Sequence, residues 1–225
     1  MGLRQRLNLA RLYWSTDAQL DGLLDRARSA FRGGVDMVHL HAPAADPAAL
    51  AQLTRQLLPL APMRALVVAE QQESAPDTGA RFCEGLSVTA VRSDLPHSLI
   101  GVTAASAEEL DAALATPEVD FVVVGQLPAG PADESAVDLE LVARAAELAP
   151  PHAAKPWFAA GDITADNLAA VIAAGAHRVV VGSAIATADD PAAVAQGLRT
   201  ELDAAWANGR TPAHQMEDAW IPGTE

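Results

Sequence analysis

Short runs of β-branched residues alternate with Ala-rich stretches along most of the chain, and this alternation restricts the folds that are open to it. The clearest runs are Phe121–Val124 and Val179–Val181. Continuous apolar runs of this length are typical of strands buried on both faces, as in a parallel sheet. The pattern predicts strands at residues 11–15, 35–41, 64–69, 86–90, 99–103, 120–125, 156–160 and 177–181. It predicts helices at about residues 19–32, 47–58, 107–115, 139–148, 165–174 and 191–207.

Eight strands that alternate with helices over about 200 residues predict an α/β protein with a (β/α)8 barrel, the TIM-barrel fold, in a single domain. An open doubly wound sheet is the alternative, although no Gly-rich dinucleotide motif supports it. We expect the barrel to occupy residues 1–208 and a polar C-terminal tail to occupy residues 209–225. Functional groups of such barrels lie at the carboxyl ends of the strands and in the loops that follow, so candidate residues are sought there.

The balance of charges excludes some classes of function. The chain has 15 basic and 29 acidic residues and a formal net charge of −14. We therefore expect no nucleic-acid partner, because binding a polyanion requires clustered Lys and Arg. No apolar run reaches the ~18 residues of a membrane span, so no membrane is expected. The lone Cys83 fits a reducing compartment, and we expect a cytoplasmic protein. The single lysine, Lys155, is predicted on the barrel face opposite the mouth.

Polar side chains follow three neighbouring predicted strands. His39 and His41 end the second strand, and residues two apart on a strand point to the same side. Glu70 follows the third strand and Asp94 follows the fourth. Two imidazoles and two carboxylates predict a divalent-metal cluster, with Zn²⁺, Mn²⁺ or Fe²⁺ favoured over Mg²⁺, which prefers oxygen ligands. The alternative is that each is a hydrogen-bonded polar residue near the rim.

The last two predicted strands are followed by residues suited to an anion. Gly161, Gly182 and Ser183 offer backbone N–H groups and a hydroxyl where barrels often bind phosphate. Asp162 opposes this role, because a carboxylate repels phosphate. The alternative for the two glycines is turn geometry alone. Arg92 is predicted as the one basic residue at the mouth, with a surface ion pair as its alternative.

Four stretches carry a resemblance to a known family, namely residues 12–17 (LYWSTD), 33–38 (GGVDMV), 120–125 (DFVVVG) and 155–191. Through them the chain resembles the thiamin phosphate synthase and thiazole tautomerase family, and actinobacterial members in particular, over roughly residues 9–207. The resemblance implies a TIM barrel that joins a pyrimidine diphosphate to a thiazole phosphate. It also implies Mg²⁺ as cofactor and the release of pyrophosphate.

The residues at the family's diphosphate-binding positions differ from its usual pattern. The strand-two motif, normally Gln-x-Arg-x-Lys, is replaced by His39, His41 and Pro43. The strand-three motif, normally Asn-Asp, reads Ala69-Glu70. The resemblance thus implies that the Arg and Lys that neutralise the diphosphate are lost.

Other positions of the family site are kept or conservatively changed. Asp94 matches the family's metal-binding Asp, Ser183 matches a serine of the family pattern, and Thr103 keeps the hydroxyl of the Ser it replaces. The family's Gly-Gly after strand seven reads Gly161-Asp162, and its Thr-Pro-Thr-Lys loop after strand six is absent. The candidate catalytic residues are Thr103, His39 and His41.

Three functions remain open on this evidence. Loss of the cations favours a divergent or catalytically silent family member that binds a small-molecule ligand or a protein partner in a thiamin-related setting. The paired histidines with Glu70 and Asp94 favour a metal-dependent enzyme with different chemistry. The overall resemblance favours an active synthase with altered substrate contacts. A homo-oligomer is compatible with each of them.

Overall fold

The computed structural model describes residues 2–41, 46–70, 79–82, 88–94, 96–128, 135–150 and 153–208. Its strands are β1 (Leu12–Asp17), β2 (Met37–His41), β3 (Leu66–Glu70), β4 (Gly79–Phe82), β5 (Leu99–Ala104), β6 (Phe121–Val124), β7 (Trp157–Ala159) and β8 (Val179–Val181). Its helices are α1 (Leu3–Leu9), α2 (Leu23–Gly33), α3 (Pro47–Leu57), α4 (Val88–Asp94), α5 (Ala107–Ala115), α6 (Leu139–Leu148), α7 (Leu168–Ala173), α8 (Ser183–Ala186) and α9 (Pro191–Asn208), with a 3₁₀ turn at Leu58–Leu60.

The strands form a curled parallel sheet that follows the order of the chain. Each strand pairs in parallel with the next, and β8 pairs with β1, so the order closes on itself. The predicted α/β class with a parallel sheet is confirmed. Among the helices in the described part of the chain, none is both long and apolar enough to cross a membrane.

The fourth predicted strand, at residues 86–90, is wrong. The structure places β4 earlier, at Gly79–Phe82, and residues 88–94 form α4. Val88 and Val91, three residues apart, both pack beside Ile100 of β5. This i, i+3 spacing is a helical one, and the β-branched residues in the run concealed it.

Two apolar layers enclose the sheet. One lies between the strands and the surrounding helices, and the other fills the barrel interior. Tyr13, Phe121 and Phe158 stack edge to face in the interior, with ring centroids 5.6 Å apart for Tyr13–Phe158 and 6.2 Å for Phe121–Phe158. Gly101 makes room for this packing, because a Cβ there would lie 2.1 Å from Phe121 Cζ. The interior is therefore a packed core below the mouth.

The amino ends of the strands form the base of the barrel, where charged side chains bind one another. The buried Asp120 accepts hydrogen bonds from Arg4 and Arg92, and from the backbone N–H of Ile100 at 2.8 Å. Lys155 Nζ donates to three carbonyls at the end of α5, at 2.7 to 2.9 Å. Burial lowers the pKa of Lys155, against the opposing charges of Asp120 and Glu118. The predicted position of Lys155, opposite the mouth, is confirmed.

Candidate functional site

His39 and His41 lie side by side at the carboxyl end of β2. Their ring centroids are 6.3 Å apart and their planes make an angle of 64°. His39 is fully buried, whereas His41 is partly exposed. The prediction that both rings share one side of the strand is confirmed, because their edge-to-face contact requires it. The pair reaches from the packed interior to the rim.

Ser15 connects His39 to a loop on the far side of the barrel. Ser15 Oγ lies 3.3 Å from His39 Nδ1 and donates a hydrogen bond of 2.7 Å to the carbonyl oxygen of Pro128. Ser15 is fully buried within β1. The sequence analysis did not identify Ser15 as a site residue. The available signal was its register, two residues after the inward-facing Tyr13, which directs a polar side chain into the barrel.

Residues 125–128, which follow β6, lie over the mouth between β1 and β8. Leu127 packs against the interior cluster, and Pro128 is buried. Gly182, after β8, accommodates this loop, because a Cβ there would lie 2.5 Å from Pro128 Cβ. Gly125 begins the loop with a φ of 106°, in the left-handed region that favours glycine. Leu127 and Pro128 therefore fill space above the barrel interior with apolar side chains.

Asp162 and Ser183 meet at the ends of β7 and β8. Ser183 Oγ donates a hydrogen bond of 2.8 Å to Asp162 Oδ1, and both side chains are partly exposed. The backbone N–H of Asp162 donates to Ser135 O at 2.6 Å. Within the described residues, no Arg or Lys side chain hydrogen-bonds to Asp162 or Ser183. A carboxylate thus accepts the hydrogen bond of the hydroxyl that was predicted, from its place at a strand end, to bind phosphate.

The backbone around Asp162 is shaped by close contacts. Gly161 has a φ of 131°, and a Cβ there would lie 2.9 Å from Ser135 O. Asn167 fixes the turn by donating from Nδ2 to Asp162 O at 2.7 Å and accepting from Thr164 N–H at 2.9 Å. The positive φ and the close contact with Ser135 O support the alternative that Gly161 is present for turn geometry. The phosphate role of Gly161, Gly182 and Ser183 stays a prediction.

Thr103 lies near the carboxyl end of β5. It is partly exposed and pairs in register with Val123 of β6, whose side chain lies in the barrel interior. Neighbouring residues in register on parallel strands point to the same side, so Thr103 faces the interior close to the mouth. Its catalytic role, like those of His39 and His41, stays a prediction.

Arg92 and Asp94 do not lie at the mouth, which corrects two predictions. Both belong to α4, which ends just before the amino end of β5. Arg92 donates to Ser98 O, Glu118 O and Asp120 Oδ2, all at the amino ends of β5 and β6. Asp94 follows at the end of the same helix and is exposed. The error arises from the misplaced fourth strand, which would have put both residues at the opposite end of the barrel.

The predicted four-ligand metal cluster is therefore incomplete. Asp94 lies at the base, whereas His39 and His41 lie at the mouth. Glu70 ends β3 beside β2, but its side chain lies outside the described residues. Within the described ranges, no group of three or more His, Cys, Asp or Glu side chains is placed to hold a metal ion. The Mg²⁺ site implied by the resemblance therefore stays a prediction, and Asp94 at the base is not part of a site at the mouth.

The fold and site together define a parallel α/β barrel whose strand-end loops hold a candidate anion site. A model of the family described as thiamine monophosphate synthase matches residues 12–185. The chain belongs to this family.

Relatives named thiamine-phosphate synthase match most of the chain. The protein from Thermobifida fusca (strain YX) is 37% identical over 216 residues, which cover 90% of this chain and 97% of that protein. The protein from Arthrobacter sp. (strain FB24) is 35% identical over 225 residues, covering 87% of this chain and 95% of its own length.

Solved structures with the same fold include a pyrophosphorylase and a glyceryl phosphate synthase. Thiamine phosphate pyrophosphorylase from Pyrococcus furiosus superimposes with a TM-score of 0.76 at 23% identity, covering 89% of this chain and 98% of that one. The (S)-3-O-geranylgeranylglyceryl phosphate synthase from Thermoplasma acidophilum gives a TM-score of 0.64 at 15% identity, covering 90% and 98%. At these identities the likeness is one of fold.

Proposed function

We propose that this chain is a divergent member of the thiamine monophosphate synthase family. In this proposal it does not catalyse the coupling of a pyrimidine diphosphate to a thiazole phosphate. Instead it binds a small molecule or a protein partner in a thiamin-related setting. The observation that carries the proposal is the hydrogen bond from Ser183 Oγ to Asp162 Oδ1 at 2.8 Å.

This hydrogen bond opposes a phosphate in two ways. The bond occupies the Ser183 hydroxyl as a donor, and the Asp162 carboxylate adds a negative charge where a phosphate would need a positive one. Loss of a diphosphate leaving group requires positioned cations that stabilise the developing charge. Arg92 cannot supply one, since its guanidinium is bound to Asp120 at the base. The loop with Leu127 and Pro128 further reduces the space above the interior.

A coupling assay tests the proposal. The purified chain is incubated with the pyrimidine diphosphate, the thiazole phosphate and Mg²⁺, and formation of thiamin phosphate is measured. The Thermobifida fusca relative, 37% identical, serves as the positive control. We expect no turnover above the background without protein. Turnover comparable to that of the control would refute the proposal and support an active synthase with altered substrate contacts.

A second candidate function is a metal-dependent enzyme that uses His39, His41 and Glu70. The proximity of the two imidazoles, with centroids 6.3 Å apart, favours it. Imidazole nitrogens suit Zn²⁺, Mn²⁺ or Fe²⁺. Metal analysis of the purified chain, with His41→Ala as the matched variant, tests this candidate. Stoichiometric metal in the wild type that is lost in the variant would support it, and metal-free wild-type protein after incubation with each ion would exclude it.

The remaining expectations complete the proposal. We propose that residues 1–208 form one (β/α)8 domain and that residues 209–225 form a C-terminal tail. A cytoplasmic location, a small-molecule or protein partner and a homo-oligomer also stay proposals. Gel filtration with light scattering tests the last of these.

A further inference from the structure

A cleft with a volume of about 300 Å³ lies between the beginnings of α6 and α7, beside the carboxyl end of β7. This volume is at the lower end of the range of small-molecule sites. Its apolar lining residues are Ala136, Val137, Leu139, Ala170 and Val171. Its two polar lining residues are Asp162 and Asn167. The cleft therefore combines an apolar wall with few polar groups, as ligand sites usually do.

Backbone contacts hold the two sides of this cleft together. The N–H of Asp162 donates to Ser135 O at 2.6 Å. Gly161 lets the two segments approach, because a Cβ there would lie 3.1 Å from Val137 Cα. The side-chain amide of Asn167 is used on both sides, since its Nδ2 donates to a carbonyl oxygen and its Oδ1 accepts from a backbone N–H. The cleft is thus formed without a ligand, which lowers the cost of binding one.

One carboxylate oxygen of Asp162 remains available in this arrangement. Oδ1 accepts the hydrogen bond from Ser183, and no described residue donates to Oδ2. None of the described residues that line the cleft is basic. The chain as a whole carries a formal net charge of −14. The cleft therefore offers a negative acceptor next to an apolar surface.

This chemistry selects the class of ligand. An anion would be repelled by Asp162. A metal ion needs several ligands, and the described residues hold no group of three or more His, Cys, Asp or Glu that could supply them. An organic ammonium ion meets both conditions, because its N–H groups donate to a carboxylate while its hydrocarbon part packs against Val137 and Val171.

We propose that the cleft binds a small organic cation in which a primary ammonium group is attached to an apolar group. Asp162 Oδ2 is the acceptor for the ammonium, and the residues from α6 and α7 contact the apolar part. The inference deepens the proposed function and rests on it, because it names the class of small molecule that replaces phosphate next to Ser183.

A titration followed by NMR of the ¹⁵N-labelled chain tests this inference with three probes of similar shape. The probes are benzylamine, benzyl alcohol and benzoate, at fixed ionic strength and about pH 7, where a primary amine is protonated. We expect benzylamine to bind about fivefold more tightly than benzyl alcohol, and benzoate to bind most weakly. The backbone amide signals of Val137, Asp162 and Asn167 should shift with the amine. Equal affinities for amine and alcohol, or shifts confined to other parts of the chain, would overturn the inference.

Three variants assign the effect to the cleft. Asp162→Asn keeps the shape of the side chain but removes its charge, so the preference for amine over alcohol should disappear. Asp166→Asn is the matched control, because it removes one exposed charge outside the cleft lining, and the preference should stay. Ala170→Leu fills the cleft from the exposed face of α7 and should weaken both probes. A preference that survives in Asp162→Asn, or is lost equally in Asp166→Asn, would show that amines only bind the acidic surface in general.

Failure of this inference is distinguishable from failure of the proposed function. Formation of thiamin phosphate in the coupling assay refutes the proposed function, whereas the absence of an amine preference refutes the ligand class assigned to the cleft. If Asp162→Asn fails to fold, the three probes on the wild type and the Ala170→Leu variant still decide the matter.

Discussion

Removing the Asp162 carboxylate should tighten the binding of inorganic phosphate at the ends of β7 and β8. A phosphate oxygen that bonds to Ser183 would take the place that Asp162 Oδ1 holds at 2.8 Å. The two negative charges would then lie about 5 Å apart, where they repel by about 1 kcal/mol in water and about 3 kcal/mol at an effective dielectric constant of about 20. Asp162 is partly exposed, so the lower value applies.

Two substitutions divide this effect into its parts. Asp162→Asn removes the charge but keeps an oxygen that accepts from Ser183, so we expect phosphate to bind about fivefold more tightly. Asp162→Gly also frees the Ser183 hydroxyl, worth about 1 kcal/mol more, and we expect a gain of about tenfold to thirtyfold. Isothermal titration calorimetry with inorganic phosphate at fixed ionic strength measures both.

Asp166→Asn is the matched control. It removes one negative charge from an exposed position four residues along the chain, and Ser183 donates to Asp162 rather than to Asp166. We expect it to change phosphate affinity much less than Asp162→Asn. Equal affinities for the wild type and both Asp162 variants would refute the reasoning and would mean that Asp162 does not govern an anion site.

Three further predictions concern stability. Gly101→Ala should lower the free energy of unfolding by about 1–3 kcal/mol in urea denaturation, because the new methyl group collides with the Phe121 ring. Arg92→Gln should destabilise by about 1–3 kcal/mol and leave phosphate affinity unchanged, since Arg92 binds Asp120 at the base; altered affinity would contradict its placement. Burial, together with the charge of Arg178, lowers the pKa of His177. The unfolded chain therefore binds a proton more readily, so stability should fall as the pH drops below about 6.5, and His177→Gln should weaken this loss in denaturation series from about pH 8 to 5. An identical pH profile in the variant would contradict this prediction.

Local features of the sequence were sufficient to predict most helices and strands. The side chain of Asp46 accepts from Ala49 N–H at the start of α3, and Ser106 accepts from Glu109 N–H at the start of α5, as their capping patterns indicate. Each of these signals joins residues three apart in the chain, so it can be recognised from the sequence alone. The shared side of His39 and His41 follows equally from strand alternation.

Where local signals compete, the sequence alone was not sufficient. The run at 86–90 has β-branched residues typical of a strand, yet Val88 and Val91 pack on Ile100 as one face of α4. Packing against β5 decides whether this run follows the two-residue period of a strand or the period of a helix. That single error moved Arg92 and Asp94 from the base to the mouth, and Asp94 is one of the four predicted metal ligands.

The sequence by itself determined that this chain forms alternating strands and helices around a parallel sheet, because periodicity and helix capping act over a few residues. Closure of the sheet decided which distant side chains meet. Ser15 and Pro128 are 113 residues apart, and Asp162 and Ser183 are 21 apart, yet each pair shares a hydrogen bond at the mouth. No spacing rule connects such residues, since their contact depends on where every intervening strand and loop has been placed.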